Sequence, residues 1–280
     1  MAITATYIDH MGSDLSVVNA ARVSFGKKSH CEETRWVDMG DWCGDMPVVN
    51  DKDSKLIHYL ASGMSSKDLE KWKNQMITAN DPDTVMEAYE ALAQAQPHLS
   101  PFGHCFASFH IKAPIFVVRQ LVKHEYLRMN EISRRYVDSE PEFYEPEVWR
   151  GRSKDKKQGS SDSTVRNDGW YPDDYKRDKH EDAPSNNWSG EWFPWGDVTM
   201  QVGQYKDMIV AGVAPEMARM VLPQSMYTEW YWSGSMDAFA NMCLLRLKED
   251  TQYETRLVAQ QIDKVMGELY PVSWKALVHG

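Results

Sequence analysis

The sequence predicts a protein that mixes strands and helices around a sizeable core. Three observations carry this. Short apolar runs with strand spacing occur at 2–8 (AITATYI) and 105–111 (CFASFHI). Longer runs with helical spacing occur at 53–61, 66–78, 199–211 and 236–262. At 280 residues the chain is long enough for one large domain or two small ones.

The elements follow in order. After the first strand, Met11-Gly12-Ser13-Asp14 makes a turn, and Asp14 or Ser16 is placed to cap a helix through Val17, Val18, Ala20 and Ala21. Residues 27–54 are polar with few apolar repeats and read as a long loop, with an aromatic patch around Trp36 and Trp42. Leu56, Ile57, Tyr59 and Leu60 restore helical spacing, and a further helix covers 66–78. Asp81 is an N-cap for a helix with Pro82 in its first turn, running to about Gln94. A Pro-Phe-Gly turn between His98 and His104 leads into the strand at 105–111. There Cys105, Ala107, Phe109 and Ile111 share one face, and Phe106, Ser108 and His110 the other.

The most informative stretch is 112–136, KAPIFVVRQLVKHEYLRMNEISRRY. Its apolar part predicts a short buried helix opening at Ala113-Pro114 and ending between Lys123 and Leu127. Gln120 lies three residues before Lys123 and four before His124, so a helix end would gather an amide, an ammonium and an imidazole. Arg119, Lys123, Arg128, Arg134 and Arg135 put five positive charges within seventeen residues of a chain with net charge -10. Such a cluster suits an anionic ligand, because guanidinium forks and hydroxyls match phosphate oxygens. Ser133 and Arg135 are two apart, so in an extended segment they would point the same way.

Residues 150–195 are rich in Lys, Asp, Ser, Gly, Asn and Pro, as expected of a long surface loop. Arg152, Lys154, Lys156 and Lys157 form a basic knot within it, suited to covering a polyanion. Trp188, Trp192, Phe193 and Trp195 are placed to pin its far end. A helix through Val202, Tyr205, Met208 and Ile209 then stops at Gly212, and Pro215 opens a short one. Residues 236–262 form a helix in two parts, and 263–280 add a short helix with Tyr270 and Trp274.

Composition excludes several classes. The acidic balance, 31 basic against 41 acidic residues, argues against a surface devoted to nucleic acid. No apolar run reaches about eighteen residues, so no membrane span is expected. The N-terminal residues lack a signal-peptide pattern, and four cysteines without a CxxC pair suggest reduced thiols in the cytoplasm and no metal site.

The key stretch resembles the flavin-dependent thymidylate synthase family. That family's signature runs Arg-His-Arg, two variable residues, Ser, one variable, Asn-Glu, one variable, Ser, one variable, Arg-Tyr. His124, Asn130, Glu131, Ser133, Arg135 and Tyr136 keep its spacing, while Lys123, Glu125 and Arg128 depart from it. Further segments are similar to the family: 20–26 (AARVSFG), 98–104 (HLSPFGH), 217–232 (MARMVLPQSMYTEWYW), and 244–256 with Asn241 before it. Gly103 stands where a glutamate is usual, Ser235 where an asparagine is, and Asp250 where a histidine is.

The resemblance implies one α+β domain over 1–280, a mixed β-sheet flanked by helices, with helical and loop insertions at 27–52, 62–95 and 141–197. It implies a homotetramer with active sites shared between subunits. It further implies reductive methylation of dUMP to dTMP, with 5,10-methylenetetrahydrofolate as carbon donor, FAD as hydride carrier and NADPH as reductant. By the same resemblance Gln120, Glu131, Ser133, Arg135, Arg219 and Arg246 bind the nucleotide, with Arg246 and Ser133 in catalytic positions. Ser24, His98, Ser100, Lys123, His124, Glu125 and Asn241 fall at flavin-binding positions. Two alternatives stay open: flavin-dependent methylation or hydroxymethylation of another nucleotide such as dCMP, and a flavin-free nucleotide or nucleic-acid binder on the same fold.

Overall fold

The structure, a computed structural model, describes residues 2–137, 139–153, 160–165 and 196–280. Strand β1 (Thr4–Met11) leads into helix α1 (Asp14–Arg22), and hairpin β2 (Glu33–Asp38) and β3 (Cys43–Val48) follows. Helices α2 (Asp51–Ser62), α3 (Ser66–Thr78) and α4 (Pro82–Ala93) precede β4 (Phe106–Pro114), α5 (Ile115–Leu121) and β5 (Leu127–Glu131). A second hairpin, β6 (Trp149–Arg152) and β7 (Ser160–Val165), comes before α6 (Gly196–Val210) and α7 (Pro215–Ala218). The chain closes with β8 (Tyr227–Ser235), α8 (Met236–Arg246), α9 (Tyr253–Leu269) and α10 (Pro271–Val278). Lys154, Lys156, Lys157 and the aromatic cluster Trp188 to Trp195 lie outside the described residues.

The main sheet has the order β1-β4-β8-β5. The α+β class is as expected, but each neighbouring pair is antiparallel, so the sheet is not mixed. The alternation read for β4 holds: Cys105, Ala107, Phe109 and Ile111 are buried, while Phe106 is exposed. Trp230 and Trp232 of β8 share that buried face, and Phe239 of α8 meets Phe109 and Trp232 edge-on at 5.3 and 5.5 Å. Tyr270, ahead of α10, donates its hydroxyl to the carbonyls of Met11 and Phe106 at 3.1 and 2.9 Å. Edge strand β1 is tied to α9 by Gln261, which accepts from Ala5 N at 2.9 Å and donates to Ile3 O at 3.1 Å.

Several expectations need correction. Residues 27–54 are not one loop: β2 and β3 pair from Glu33–Val48 to Asp38–Cys43. Trp42 packs against His10 at 4.6 Å, whereas Trp36 is exposed. Ser13, not Asp14 or Ser16, caps α1, and its N–H donates to Ser16 Oγ at 3.0 Å. Pro114 is the cap of α5 and not part of its first turn, and that helix ends at Leu121. The helices expected at 66–78 and after Asp81 are present as α3 and α4, with Asp81 Oδ2 accepting from Thr84 N at 3.0 Å. Among the described residues no helix is long and apolar enough to cross a membrane.

Candidate active site

Helix α5 stops early because the chain must turn into β5, which pairs with β8. The turn is tight enough to hold Tyr126 at φ 63, in the left-handed region. It brings His124 back against the C-terminal end of α8. There Arg246 Nε donates to His124 Nε2 at 2.9 Å, and Arg246 Nη2 donates to Gln120 O at 3.0 Å. Gln120 Nε2 in turn donates to Gln252 Oε1 at 2.5 Å.

This cluster has a defined protonation state. Burial, followed by the neighbouring Arg246 charge, lowers the His124 pKa to about 4. His124 is therefore neutral near pH 7. Because Nε2 accepts from Arg246, the ring proton sits on Nδ1. Burial also lowers the pKa of Arg246, the mark of a partly desolvated guanidinium. Two of its nitrogens are committed, and Nη1 has no partner among the described residues.

A second group forms on β5 and β8. Thr228, buried at the start of β8, donates to Glu131 Oε1 at 2.7 Å. Just beyond, residues 134–136 form a turn and not an extended strand. Ser133 and Arg135 still meet, with Arg135 Nε donating to Ser133 Oγ at 3.2 Å. The Arg135 guanidinium lies 5.0 Å from the centre of the Tyr136 ring. Because α5 ends before Glu125, that residue and Arg128 cannot form the helical i,i+3 pair that would offset the charge reversal at 125.

The remaining predicted residues are spread over the surface. Ser24, His98, Ser100, Lys123, Glu125, Asn241 and Arg219 are exposed. His98 stacks on Tyr59 with ring centres 6.1 Å apart, and its N–H donates to Leu60 O at 2.7 Å. Within the single chain, no hydrogen bond or ion pair among the described residues joins Arg135, Arg219 and Arg246. Sequence reasoning missed Thr228 and Gln252 as site partners. Both lie in segments that resemble the family, but their pairings bridge stretches more than ninety residues apart, which no local spacing announces.

A family model described as "Thymidylate synthase complementing protein" matches residues 6–272. The flavin-dependent thymidylate synthase of Thermus thermophilus is 31% identical over 269 residues, covering 96% of this chain and 73% of the relative. That of Kosmotoga olearia is 31% identical over 275 residues, covering 97% of this chain and 88% of the relative. A solved structure of the UMP/dUMP methylase PolB from Streptomyces cacaoi, bound with 5-Br dUMP, shares the fold. Its TM-score is 0.62 at 24% identity, over 99% of this chain and 95% of that one. Matched by the family model over residues 6–272 and by these relatives over nearly its whole length, the chain belongs to the flavin-dependent thymidylate synthase family.

Proposed function

We propose that this enzyme methylates dUMP at C5 to give dTMP in the cytoplasm. In this reading FAD carries hydride, NADPH reloads it, and 5,10-methylenetetrahydrofolate gives the carbon. Membership of a flavin-dependent thymidylate synthase family supports the cofactor set. The 5-Br dUMP bound by the PolB methylase, which shares this fold, accords with the substrate. Four free cysteines fit a reducing compartment.

The observation that carries the reading is Arg246, partly desolvated and held by His124 and Gln120, with one nitrogen uncommitted among the described residues. A guanidinium fixed in this way is preorganised for negative charge developing on a pyrimidine carbonyl as C5 becomes nucleophilic. Neutral His124 cannot compete for that charge and serves to orient Arg246. Glu131, with one oxygen taken by Thr228, keeps the other for a nucleotide hydroxyl. Ser133, Arg135 and Arg219 would take the phosphate, and Gln120 would orient the base. In the tetramer, Arg219 would reach nucleotide held by another subunit, which accounts for its exposure here.

The residues present fit a flavin. Asp237 Oδ1, in the first turn of α8, is buried with no hydrogen-bond partner. It lies 3.9 Å from where a Cβ on Gly103 would sit, and among the described residues no other atom beyond Gly103 and its chain neighbours comes within 4 Å of that point. Hydroxyl donors of a ribityl chain would satisfy that oxygen in the space that the usual glutamate would fill. His98, Ser100, Ser24, Lys123, His124, Glu125 and Asn241 would hold the group. When bound, FAD supplies the hydride chemistry that no side chain can perform.

The test is direct. Purified protein should be yellow and lose its visible flavin absorbance with NADPH. Incubated with methylenetetrahydrofolate and NADPH, it should convert dUMP to a product heavier by one CH₂, the net gain when a methyl group replaces the C5 hydrogen. Conversion of dCMP instead, or a hydroxymethyl product, would replace the substrate or product named here. Colourless protein that binds nucleotide or nucleic acid without turnover would end the enzymatic reading.

A further inference from the structure

Among the described residues, Tyr126 is the one non-glycine residue with a left-handed backbone, at φ 63. The other such positions, Gly12, Gly26, Gly40, Gly63 and Gly212, are all glycines. A Cβ makes that conformation unfavourable, which is why glycine is its usual occupant. Tyr126 adopts it with a large aromatic side chain that is 82% exposed. Its side chain makes no hydrogen bond or ring contact with another described residue, so it does little within the chain to offset the strain. Strain kept at a bulky, uncovered residue points to something that the residue meets in function.

The turn is fixed where it stands. Leu127, the next residue, pairs with Gly234 of β8. A Cβ on Gly234 would collide with Leu127 Cδ2 and lie 3.0 Å from Tyr126 O, so only glycine lets the turn press this close. Tyr126 is thereby set at the end of β8 where α8 begins. Ser235, next after Gly234, is the N-cap of α8 and pairs with Phe106 of β4. The residues named above for the flavin gather at the same junction. Lys123, His124 and Glu125 directly precede Tyr126 in the turn. The short 3-10 helix Ser100–His104 packs against β8 and α8. Asp237, with its unpartnered Oδ1, lies in the first turn of α8, and Asn241 one turn further on. These groups supply hydrogen bonds and charge but little free ring surface. His98 is stacked on Tyr59, and His124 is held at Nε2 by Arg246.

We infer that Tyr126 is a further flavin-binding residue: the strained turn holds its phenol clear of the chain so that the ring stacks on the tricyclic ring of the flavin. The inference rests on the flavin reading above. A flat, largely apolar ring system is best covered by an aromatic side chain laid against it. A ring already held in place by its backbone loses less freedom on binding than one carried by a mobile loop.

Full-length protein, stripped of flavin and titrated with FAD, tests this. Tyr126→Gly removes the ring and the strain together. Its FAD affinity should fall about fivefold or more, while the urea midpoint of the flavin-free protein equals or exceeds that of wild type. Tyr126→Phe keeps a ring, so affinity should stay within about twofold. Emission from its bound flavin should nevertheless rise. An excited flavin takes an electron from a phenol in contact with it and returns it without emitting light, and a benzene ring does not serve. Wild-type affinity in Tyr126→Gly overturns the inference and leaves the flavin reading in place. Weakened binding in Tyr126→Gly with unchanged emission in Tyr126→Phe makes the ring a prop for the turn or a contact with another subunit, and also overturns it. Wild type that binds no FAD removes the flavin reading itself, and the inference with it.

Discussion

A side chain at residue 12 would have nowhere to go. Gly12 sits at φ +87, and a Cβ there would lie 2.8 Å from Cys105 Sγ. Gly12→Ala should therefore cost about 2 kcal/mol or more, combining left-handed strain with a steric clash; an unchanged urea midpoint would refute this. The Cys105 thiol is pushed up to about 12 by burial and then by the Asp14 charge, so it is no nucleophile near neutral pH. Cys105→Ala should retain turnover, and complete loss with flavin and nucleotide still bound would demand a cysteine mechanism. His124 makes a pH-dependent prediction. Its folded pKa, about 4, lies below the ordinary 6.5. Between those values the unfolded chain binds the proton and the folded chain does not. The stability linked to this group is thus present above about 6.5 and is lost as pH falls towards about 4. His124→Gln keeps an acceptor for Arg246 and does not titrate, so its urea midpoint should fall less than wild type between those pH values. Parallel curves for the two proteins would dismiss the coupling.

At the scale of elements, the first helix caps the last. Asp14, at the start of α1, accepts from Val272 N at 3.0 Å and Ser273 N at 2.9 Å, in the first turn of α10. The carboxylate is buried and meets the positive end of that helix. Asp14→Ala should cost about 2–4 kcal/mol, because it removes charge-assisted bonds and leaves two amides short of a partner. Hydrogen exchange should accelerate at residues 272 and 273 before the sheet is affected, and uniform acceleration would make the effect global. Such a contact shows how far the sequence could be read. The Asp81-Pro82 cap, the β4 alternation and the α8–α9 break are local patterns, and each was legible. Strand β5 was not, because its alternation rests on Leu127 and Met129 alone, and it exists by pairing with β8 about a hundred residues later. The β2–β3 hairpin was hidden likewise, since its polar strands are recognisable only through their partners. In the candidate site, the signature spacing singled out His124, Glu131, Ser133 and Arg135 as expected site residues. The geometry that unites His124 with Arg246 depends on a turn that ended α5 earlier than its residues suggest.

The whole molecule raises the question of how many chains make one site. The face of the main sheet turned away from the core carries Met11, Phe106 and Tyr231, which are 56%, 43% and 55% exposed in the single chain. Large exposed side chains on one sheet face are suited to burial against another subunit. Arg219, meanwhile, is exposed and, among the described residues, makes no hydrogen bond or ion pair with the Arg246 cluster in its own chain. Both features are explained if Arg219 completes a site whose Arg246 belongs to a different subunit. That arrangement can be tested by mixing two inactive proteins. Arg219→Ala and Arg246→Ala should each abolish or nearly abolish dTMP formation. When the two are unfolded together in equal amounts and reassembled, some sites take an intact Arg219 from one chain and an intact Arg246 from the other. With random assembly each requirement is met half the time, so about one quarter of wild-type activity should return. If both arginines serve the same site from one chain, every site keeps a defect and no activity returns at any mixing ratio.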